Sequence, residues 1–203
     1  MDIALGLCVG VALAAACGFR VFVPLLVLAI GARAGFVSVG HQFEFLASWP
    51  ALVALSVATV VECVAAVWPW LDHALDVIAT PCAVVAGTLV TASQVEHMHP
   101  LLMWATGLVA GGGAAGLTQV ATVSTRGVST VTTAGLLNPF INLVQTALAT
   151  VLSVLAILVP VVAGVCVLAV VGVLAWWWVG RSRRRSERAP GASGPRLTYV
   201  DAA

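Results

Sequence analysis

The chain contains the stretch Pro50-Ala-Leu-Val-Ala-Leu-Ser-Val-Ala-Thr-Val-Val-Glu62-Cys-Val-Ala-Ala-Val-Trp68, in which one acidic residue lies among apolar neighbours. As a helix this stretch rises about 28 Å, close to the roughly 30 Å thickness of bilayer hydrocarbon. Glu62 is therefore expected inside the membrane, where an ionisable group costs a few kcal/mol or more and usually marks a functional site.

The composition places the chain among integral membrane proteins. Hydrophobic residues make up 61% and charged residues 8%, whereas soluble domains are about a quarter charged. We expect the lipid bilayer as the main partner, with no nucleic acid and no cofactor. The segment 181–203 is predicted to be a disordered basic tail that can touch anionic lipid headgroups. It carries six of the nine arginines, Arg181, Arg183, Arg184, Arg185, Arg188 and Arg196.

Hydropathy predicts an all-α polytopic protein with about six transmembrane helices. The first apolar region would be about 45 Å long as one helix, so the break at Gly18-Phe19-Arg20 favours a broken or re-entrant element. The basic tail predicts a cytoplasmic carboxyl end, and six crossings would then place both termini in the cytoplasm of a bacterium, with the protein in its inner membrane. The predicted spans are Ile3–Ala32, Pro50–Trp68, Ala74–Ser93, Leu101–Val123, Leu143–Val159 and Val161–Val179.

Two halves of the transmembrane domain (1–180) resemble one another. Aligning Leu52–Pro69 with Leu143–Pro160 gives seven identities in eighteen positions, and each half carries an arginine in a polar break, Arg20 or Arg126. Two three-helix repeats, about 1–94 and 101–180, would have opposite orientations, as in many secondary transporters. Shared apolar composition is the alternative explanation.

The fourth span is rich in glycine. Small residues at this spacing let another helix approach closely, so this span is a candidate surface for homo-oligomers. The residues are Gly107, Gly111, Gly112, Gly113 and Gly116.

Three charged residues form the candidate intramembrane site. The predicted depths place Glu62 and Arg126 near the inner face, where they can pair and so lower the cost of burial; such a pair can equally be only structural. Arg20 is expected towards the outer face, where it would bind an anionic ligand or headgroup, or else snorkel or pair with Glu44.

Further polar residues complete the candidates. Asn138 is expected to cap the fifth span, and Asn142 and Gln145 can join a substrate- or ion-binding site with it. A weak candidate metal site is formed by Asp72, His73 and Asp76, whose alternative role is at a helix start. No nucleophile elbow or phosphate-binding loop is present, so we do not expect an enzyme.

The chain resembles the family catalogued as domain of unknown function 4126, small bacterial membrane proteins with no established activity. The resemblance implies a helical membrane fold with two related halves. The chain departs from the family pattern at Ala66-Val67 and Gln145-Thr146, where the family usually has charged residues. The residues that carry the resemblance are Gly18–Pro24, Leu46–Leu52, Glu62, Pro69, Asp72, His73, Asp76, Asn138–Phe140 and Asn142.

These observations predict a transporter of a small solute, ion or lipid with a polar intramembrane site. The alternative is a membrane scaffold or assembly factor that transports nothing. An enzyme using a metal at Asp72, His73 and Asp76 is the third and least favoured hypothesis.

Overall fold

The computed structural model describes residues 3–66, 69–95, 98–160, 162 and 165, with only the backbone described over 69–76. Every regular element in these ranges is helical. A short 3-10 helix, His41–Ala47, and a π-helical turn, Gly107–Gly112, interrupt the α-helices. The α-helices are α1 (Ile3–Cys17), α2 (Phe22–Arg33), α3 (Trp49–Ala65), α4 (Pro69–Gln94), α5 (Pro100–Thr106), α6 (Gly113–Thr133) and α7 (Asn138–Leu158).

Helices α6 and α7 have polar faces that point inwards and apolar faces that point outwards. On α7 the buried face includes Asn142 and Ser153, while Leu143 is 67% exposed. On α6, Gln119 is buried and Val120 is 60% exposed. This is the reverse of a soluble helix, and it confirms a surface suited to lipid.

Length and apolar character identify three helical segments that can cross a membrane: Val77–Gln94, Pro100–Thr133 and Asn138–Leu158. The 3-10 helix and α3, which meet at a bend of 63°, count together as a fourth. Ser48 begins α3 by accepting a hydrogen bond from the Ala51 amide, and proline suits this first turn. The predicted sixth span, Val161–Val179, lies outside the described residues apart from Val162 and Val165.

Helices α1 and α2 form a hairpin. A Cβ on Gly6, near the start of α1, would meet the Gln94 carbonyl oxygen at the end of α4. The Gly40 amide, shortly after α2, donates to the carbonyl oxygen of the adjacent Ser93 at 2.9 Å. The start of α1 and the end of α2 therefore lie at the same end of the bundle, and the connection Gly18–Val21 lies towards the other end.

Neither arm of this hairpin is long enough to cross hydrocarbon, because their 15 and 12 residues rise only about 22 and 18 Å. The predicted break at Gly18 is thus present, and the re-entrant alternative describes its geometry. A single crossing by Ile3–Ala32, which the count of six spans required, is wrong because the chain turns back at the break.

Close backbone packing joins α4 to the π-helical turn. A Cβ on Gly107 would lie 2.8 Å from the Thr88 carbonyl oxygen, and one on Gly111 would collide with the Gly87 carbonyl oxygen. Gly113 faces outwards, with nothing within 4 Å of such a Cβ. The predicted close approach of a helix to the glycine-rich span is therefore made by α4 of the same chain.

The second half differs from the prediction around Arg126. The sequence suggested a polar break between Ser124 and Gly135, but α6 continues through Arg126 to Thr133. The chain turns only at Ala134 and Gly135, which have φ values of 51° and 81°. Threonine and serine side chains permit this continuation because their hydroxyls bond to carbonyls of the preceding turn, as Thr130 does to Arg126.

Candidate functional site

The carboxylate of Glu62 binds the amino-terminal end of α2. Its Oε1 accepts a hydrogen bond from the Val21 amide at 2.8 Å, and its Oε2 accepts one from the Phe22 amide at 3.2 Å. Val21 is the N-cap position of α2 and has no capping side chain of its own. A residue of α3 thus satisfies amides that the helix itself leaves unpaired, where negative charge is favoured by the helix dipole.

The Arg20 guanidinium lies beside this end of α2 and reaches α7. It is only 6% exposed. Its Nε donates to Thr146 Oγ1 at 3.0 Å, and its Nη2 donates to the Asn142 carbonyl oxygen at 3.4 Å. Thr146 also donates to that same carbonyl oxygen at 2.8 Å, which holds its hydroxyl in place for Arg20.

Asn142 connects three helices through its side chain. Its Nδ2 donates to the Ala66 carbonyl oxygen at the end of α3, at 2.9 Å, and its Oδ1 accepts from Arg126 Nη1 of α6 at 3.5 Å. The last carbonyls of a helix lack partners within it. Asn142 therefore caps the carboxyl end of α3, and Glu62 caps the amino-terminal end of α2. We call Arg20, Glu62, Arg126, Asn142 and Thr146 the tip cluster, after the hairpin tip where they meet.

The tip cluster holds two cationic side chains, Arg20 and Arg126, and one acidic side chain, Glu62. Since ion pairs and charged hydrogen bonds strengthen as water is excluded, the geometry can hold a charged group firmly at this point.

Helix lengths give the distance of the tip cluster from the start of α3. The Arg33 guanidinium lies 4.2 Å from the ring centre of Trp49, and exposed aromatic and basic residues are typical of a membrane interface. From this pair, α2 extends about 18 Å to Val21 and α3 about 20 Å to Glu62. In a hydrocarbon layer of about 30 Å, a group at that distance from one interface would be about 10–12 Å from the other.

Several buried oxygen atoms near the tip cluster lack hydrogen-bond partners. They include Thr122 Oγ1, one turn before Arg126 on α6, and Gln145 Oε1, one turn after Asn142 on α7. Asn138 Oδ1 is a third. Buried acceptors without a donor are costly, so these atoms can accept hydrogen bonds from water or a solute that enters the site.

The structure brings together four of the residues singled out in the sequence: Arg20, Glu62, Arg126 and Asn142. The expectation that Arg20 lies towards the face opposite Glu62 is wrong, because the hairpin returns it to the level of Glu62. Arg20 does not pair with Glu44 either, since Glu44 Oε1 lies 2.8 Å from His41 Nδ1 at the exposed 3-10 helix.

Asn138 is not the cap of α7. The N-cap position is Leu137, and the side-chain Nδ2 of Asn138 instead donates to Thr130 Oγ1 of α6 at 3.0 Å. Gln145 lies on the buried face of α7, as the proposed site requires.

The side chains of the candidate metal ligands Asp72, His73 and Asp76 lie outside the described part of the molecule. Among the side chains that are described, no three of His, Cys, Asp and Glu come together as a metal site.

The sequence placed Gln145, Thr146 and Ser153 of the second half opposite Arg20, and Arg20 does bind the Thr146 hydroxyl. Sequence reasoning missed Thr122, which could have been found by its position one turn before Arg126.

We expect Thr146→Val to lower the free energy of unfolding by about 1.5–3 kcal/mol, because Arg20 loses a hydrogen bond to its charged group in a buried place. Thr150→Val is the matched control, since the exposed Thr150 hydroxyl bonds only to the Thr146 carbonyl of its own helix. Unfolding by SDS titration in mixed micelles measures both. Equal losses of unfolding free energy in the two variants would contradict a stabilising hydrogen bond between Arg20 and Thr146.

Comparison with known proteins identifies one family. A family model described as a domain of unknown function, number 4126, matches residues 7–180, which includes every residue of the tip cluster. No curated protein and no solved structure matches the chain.

Proposed function

The chain belongs to the domain of unknown function 4126 family, and we propose that it transports a small ion or solute across the membrane through the tip cluster. The observation that carries this proposal is the hairpin tip itself: two helix ends and three charged side chains meet about 20 Å below one interface. Irregular backbone at such depth is tolerated only where it is buried in protein or lines a cavity. In transporters, the ends of broken helices bind the ligand at such places.

The polar inner faces of α6 and α7 support a path to the site. Thr122 Oγ1 and Gln145 Oε1 are buried acceptors that lie one turn from Arg126 and Asn142. Thr122 extends the polar buried face of α6 beyond Arg126. Asn138 and Gln145 extend the polar buried face of α7 on either side of Asn142. A chain that only needed to fill space between helices would place apolar side chains there at lower cost.

An inverted repeat also remains part of the proposal. The alignment that places Leu52 over Leu143 places Gly107 over Ala16 and Gly112 over Val21. The π-helical turn thus corresponds to the end of α1 and the break in the first half. We propose that two repeats, about 1–94 and 101–180, share this irregular point, which is a hairpin in one and a π-helical turn in the other. Local π turns are often found at functional sites.

The membrane arrangement that we propose has a re-entrant hairpin and four crossings among the described residues, and it keeps the span predicted from sequence at 161–179 as a fifth. With the basic tail 181–203 in the cytoplasm, the tip cluster would lie in the cytoplasmic half of a bacterial inner membrane. The amino terminus then lies on the opposite face, in place of the cytoplasmic position expected from six crossings. The tail would bind anionic headgroups, and copies of the chain could pair through the outward-facing Gly113.

A membrane scaffold is the second candidate, and one observation favours it. Both carboxylate oxygens of Glu62 are already bound by amides of α2, as in a purely structural connection between helices. The two functions differ in whether solutes move, which can be measured directly.

The test uses purified full-length protein in liposomes. Potassium chloride, nitrate, formate and acetate gradients are imposed, and entry is followed by light scattering, with a pH-sensitive dye reporting proton movement. We expect flux well above empty liposomes, and a large loss for Arg20→Met with Thr150→Val unchanged. Flux from native protein no higher than from empty liposomes, for all four salts and for protons, would support the scaffold instead.

A further inference from the structure

The Glu62 carboxylate occupies a place built for an anion. Two successive amides, those of Val21 and Phe22, donate to its two oxygens, and Arg20 is the residue directly before them in the chain. Amides at a helix start together with a guanidinium are the groups that proteins use to bind free carboxylates and oxyanions. The chain fills this place with a side chain that comes from a different helix, α3.

Arg20 is not neutralised by its own hydrogen bonds. It donates to the Thr146 hydroxyl and the Asn142 carbonyl, which are both neutral groups. A buried guanidinium is stabilised by negative charge nearby, and Glu62 is the one acidic residue of the tip cluster. If the Glu62 side chain swung away, an anion of similar size would have to replace it.

An independent observation concerns the surroundings of this place. Gln145 is 6% exposed and Thr122 is 3% exposed, yet Gln145 Oε1 and Thr122 Oγ1 have no hydrogen-bond partner. The Gln145 oxygen is an acceptor and does not bind an anion directly, whereas the Thr122 hydroxyl can both accept and donate. They suit the water molecules that a small anion keeps when it enters a protein, because such water donates one hydrogen to the anion and the other to a protein oxygen.

We propose that the tip cluster binds a small monovalent anion of carboxylate or nitrate size, and that Glu62 is the internal competitor that occupies the site when no anion is present. This rests on the proposed transport function and names its substrate class. Entry of the anion displaces the Glu62 carboxylate from the α2 amides, and release of the anion lets it return. No bond is made or broken in this exchange; one negative charge takes the place of another.

The competition predicts that removing Glu62 strengthens anion binding. Glu62→Ala leaves the two α2 amides and Arg20 facing a space vacated by a carboxylate, which sodium formate can refill. We expect formate to raise the unfolding temperature of Glu62→Ala with a half-effect concentration about tenfold or more below that of native protein, a difference of about 1.4 kcal/mol or more in binding. Sodium gluconate at equal ionic strength is the reference, because its anion is too large.

Two further variants make the result specific. Adding Arg20→Met to Glu62→Ala should abolish the difference between formate and gluconate, whereas adding Thr150→Val should leave it unchanged. If Glu62→Ala does not fold, Glu62→Gln replaces it: its amide has no charge and competes more weakly, so formate should again act at lower concentration than on native protein.

The outcomes separate this inference from the transport function. If formate stabilises the Glu62 variants no better than gluconate does, the site is not an anion site and Glu62 is only a cap, whatever the liposomes show. If formate stabilises the Glu62 variants and Arg20→Met abolishes this effect, but native protein moves no salt, the result supports the anion site and contradicts the transport function. Formate stabilisation that survives Arg20→Met would also overturn the inference, because the anion would then bind elsewhere.

Discussion

Replacing Glu62 with leucine should lower the free energy of unfolding by about 3–5 kcal/mol, because two hydrogen bonds to a charged group are lost, each worth about 1.5–3 kcal/mol. The Val21 and Phe22 amides would lose both hydrogen bonds that they make to the carboxylate. Arg20 would lose the negative charge beside it, while leucine cannot replace either function. SDS titration in mixed micelles, with sodium gluconate as the only added salt, measures the loss without rescue by small anions.

Two controls show whether the loss comes from the carboxylate. Glu62→Gln should cost less than leucine, because its side-chain oxygen can still accept from one of the two amides. Val61→Leu changes the preceding residue, which is 57% exposed, and should change stability by less than about 0.5 kcal/mol. Leucine at Glu62 with native stability would mean that the hairpin tip is held by other contacts.

Gly111→Val should be the most damaging substitution outside the tip cluster. A Cβ at this position would collide with the Gly87 carbonyl oxygen and with the Thr91 hydroxyl of α4. Because the first obstacle is backbone, the two helices must move apart, and we expect a loss at or above the upper end of the usual 1–3 kcal/mol for overpacking. Thermal unfolding in detergent, monitored by tryptophan fluorescence, measures it.

Gly113→Val is the matched control for this experiment. It lies two residues further along the same helical segment, and a Cβ there has nothing within 4 Å. The two variants add the same side chain, one in the π-helical turn and one at the first residue of α6, and neither glycine has a positive φ. Packing against α4 is therefore the main difference between them. Similar unfolding temperatures would contradict the close contact between α4 and the π-helical turn.

The limits of several elements follow from local chemistry and were predicted closely. Helix α3, Trp49–Ala65, agrees with the predicted span Pro50–Trp68 because Ser48 and Pro50 start a helix and the apolar run sustains it. The break after Cys17 was also predicted, since Gly18 and Arg20 both disfavour a continuous apolar helix. By contrast, α6 extends ten residues past Val123. Its threonine hydroxyls donate to carbonyl oxygens of the preceding helical turn, so these polar residues do not end the helix.

The sequence predicted which residues form the candidate site better than it predicted their arrangement. Arg20, Glu62 and Arg126 stand out in sequence because a charge in an apolar stretch has few explanations. The pairing of Glu62 was not predictable in the same way, because its hydrogen-bond donors are the backbone amides of Val21 and Phe22. Backbone amides are present at every residue except proline and carry no signature in the sequence.

The sequence by itself determined that this is a helical membrane protein with three charged residues in its transmembrane domain. A helix must be long enough to cross the hydrocarbon, and a charged side chain inside it carries a large free-energy cost. Both features can therefore be recognised in the sequence. Only the tertiary structure decided that the first apolar region turns back at Gly18–Val21 and so places Arg20 and Glu62 at one depth. A hairpin and a straight crossing differ in the dihedral angles of a few residues, and packing of α1 against α4 selects between them.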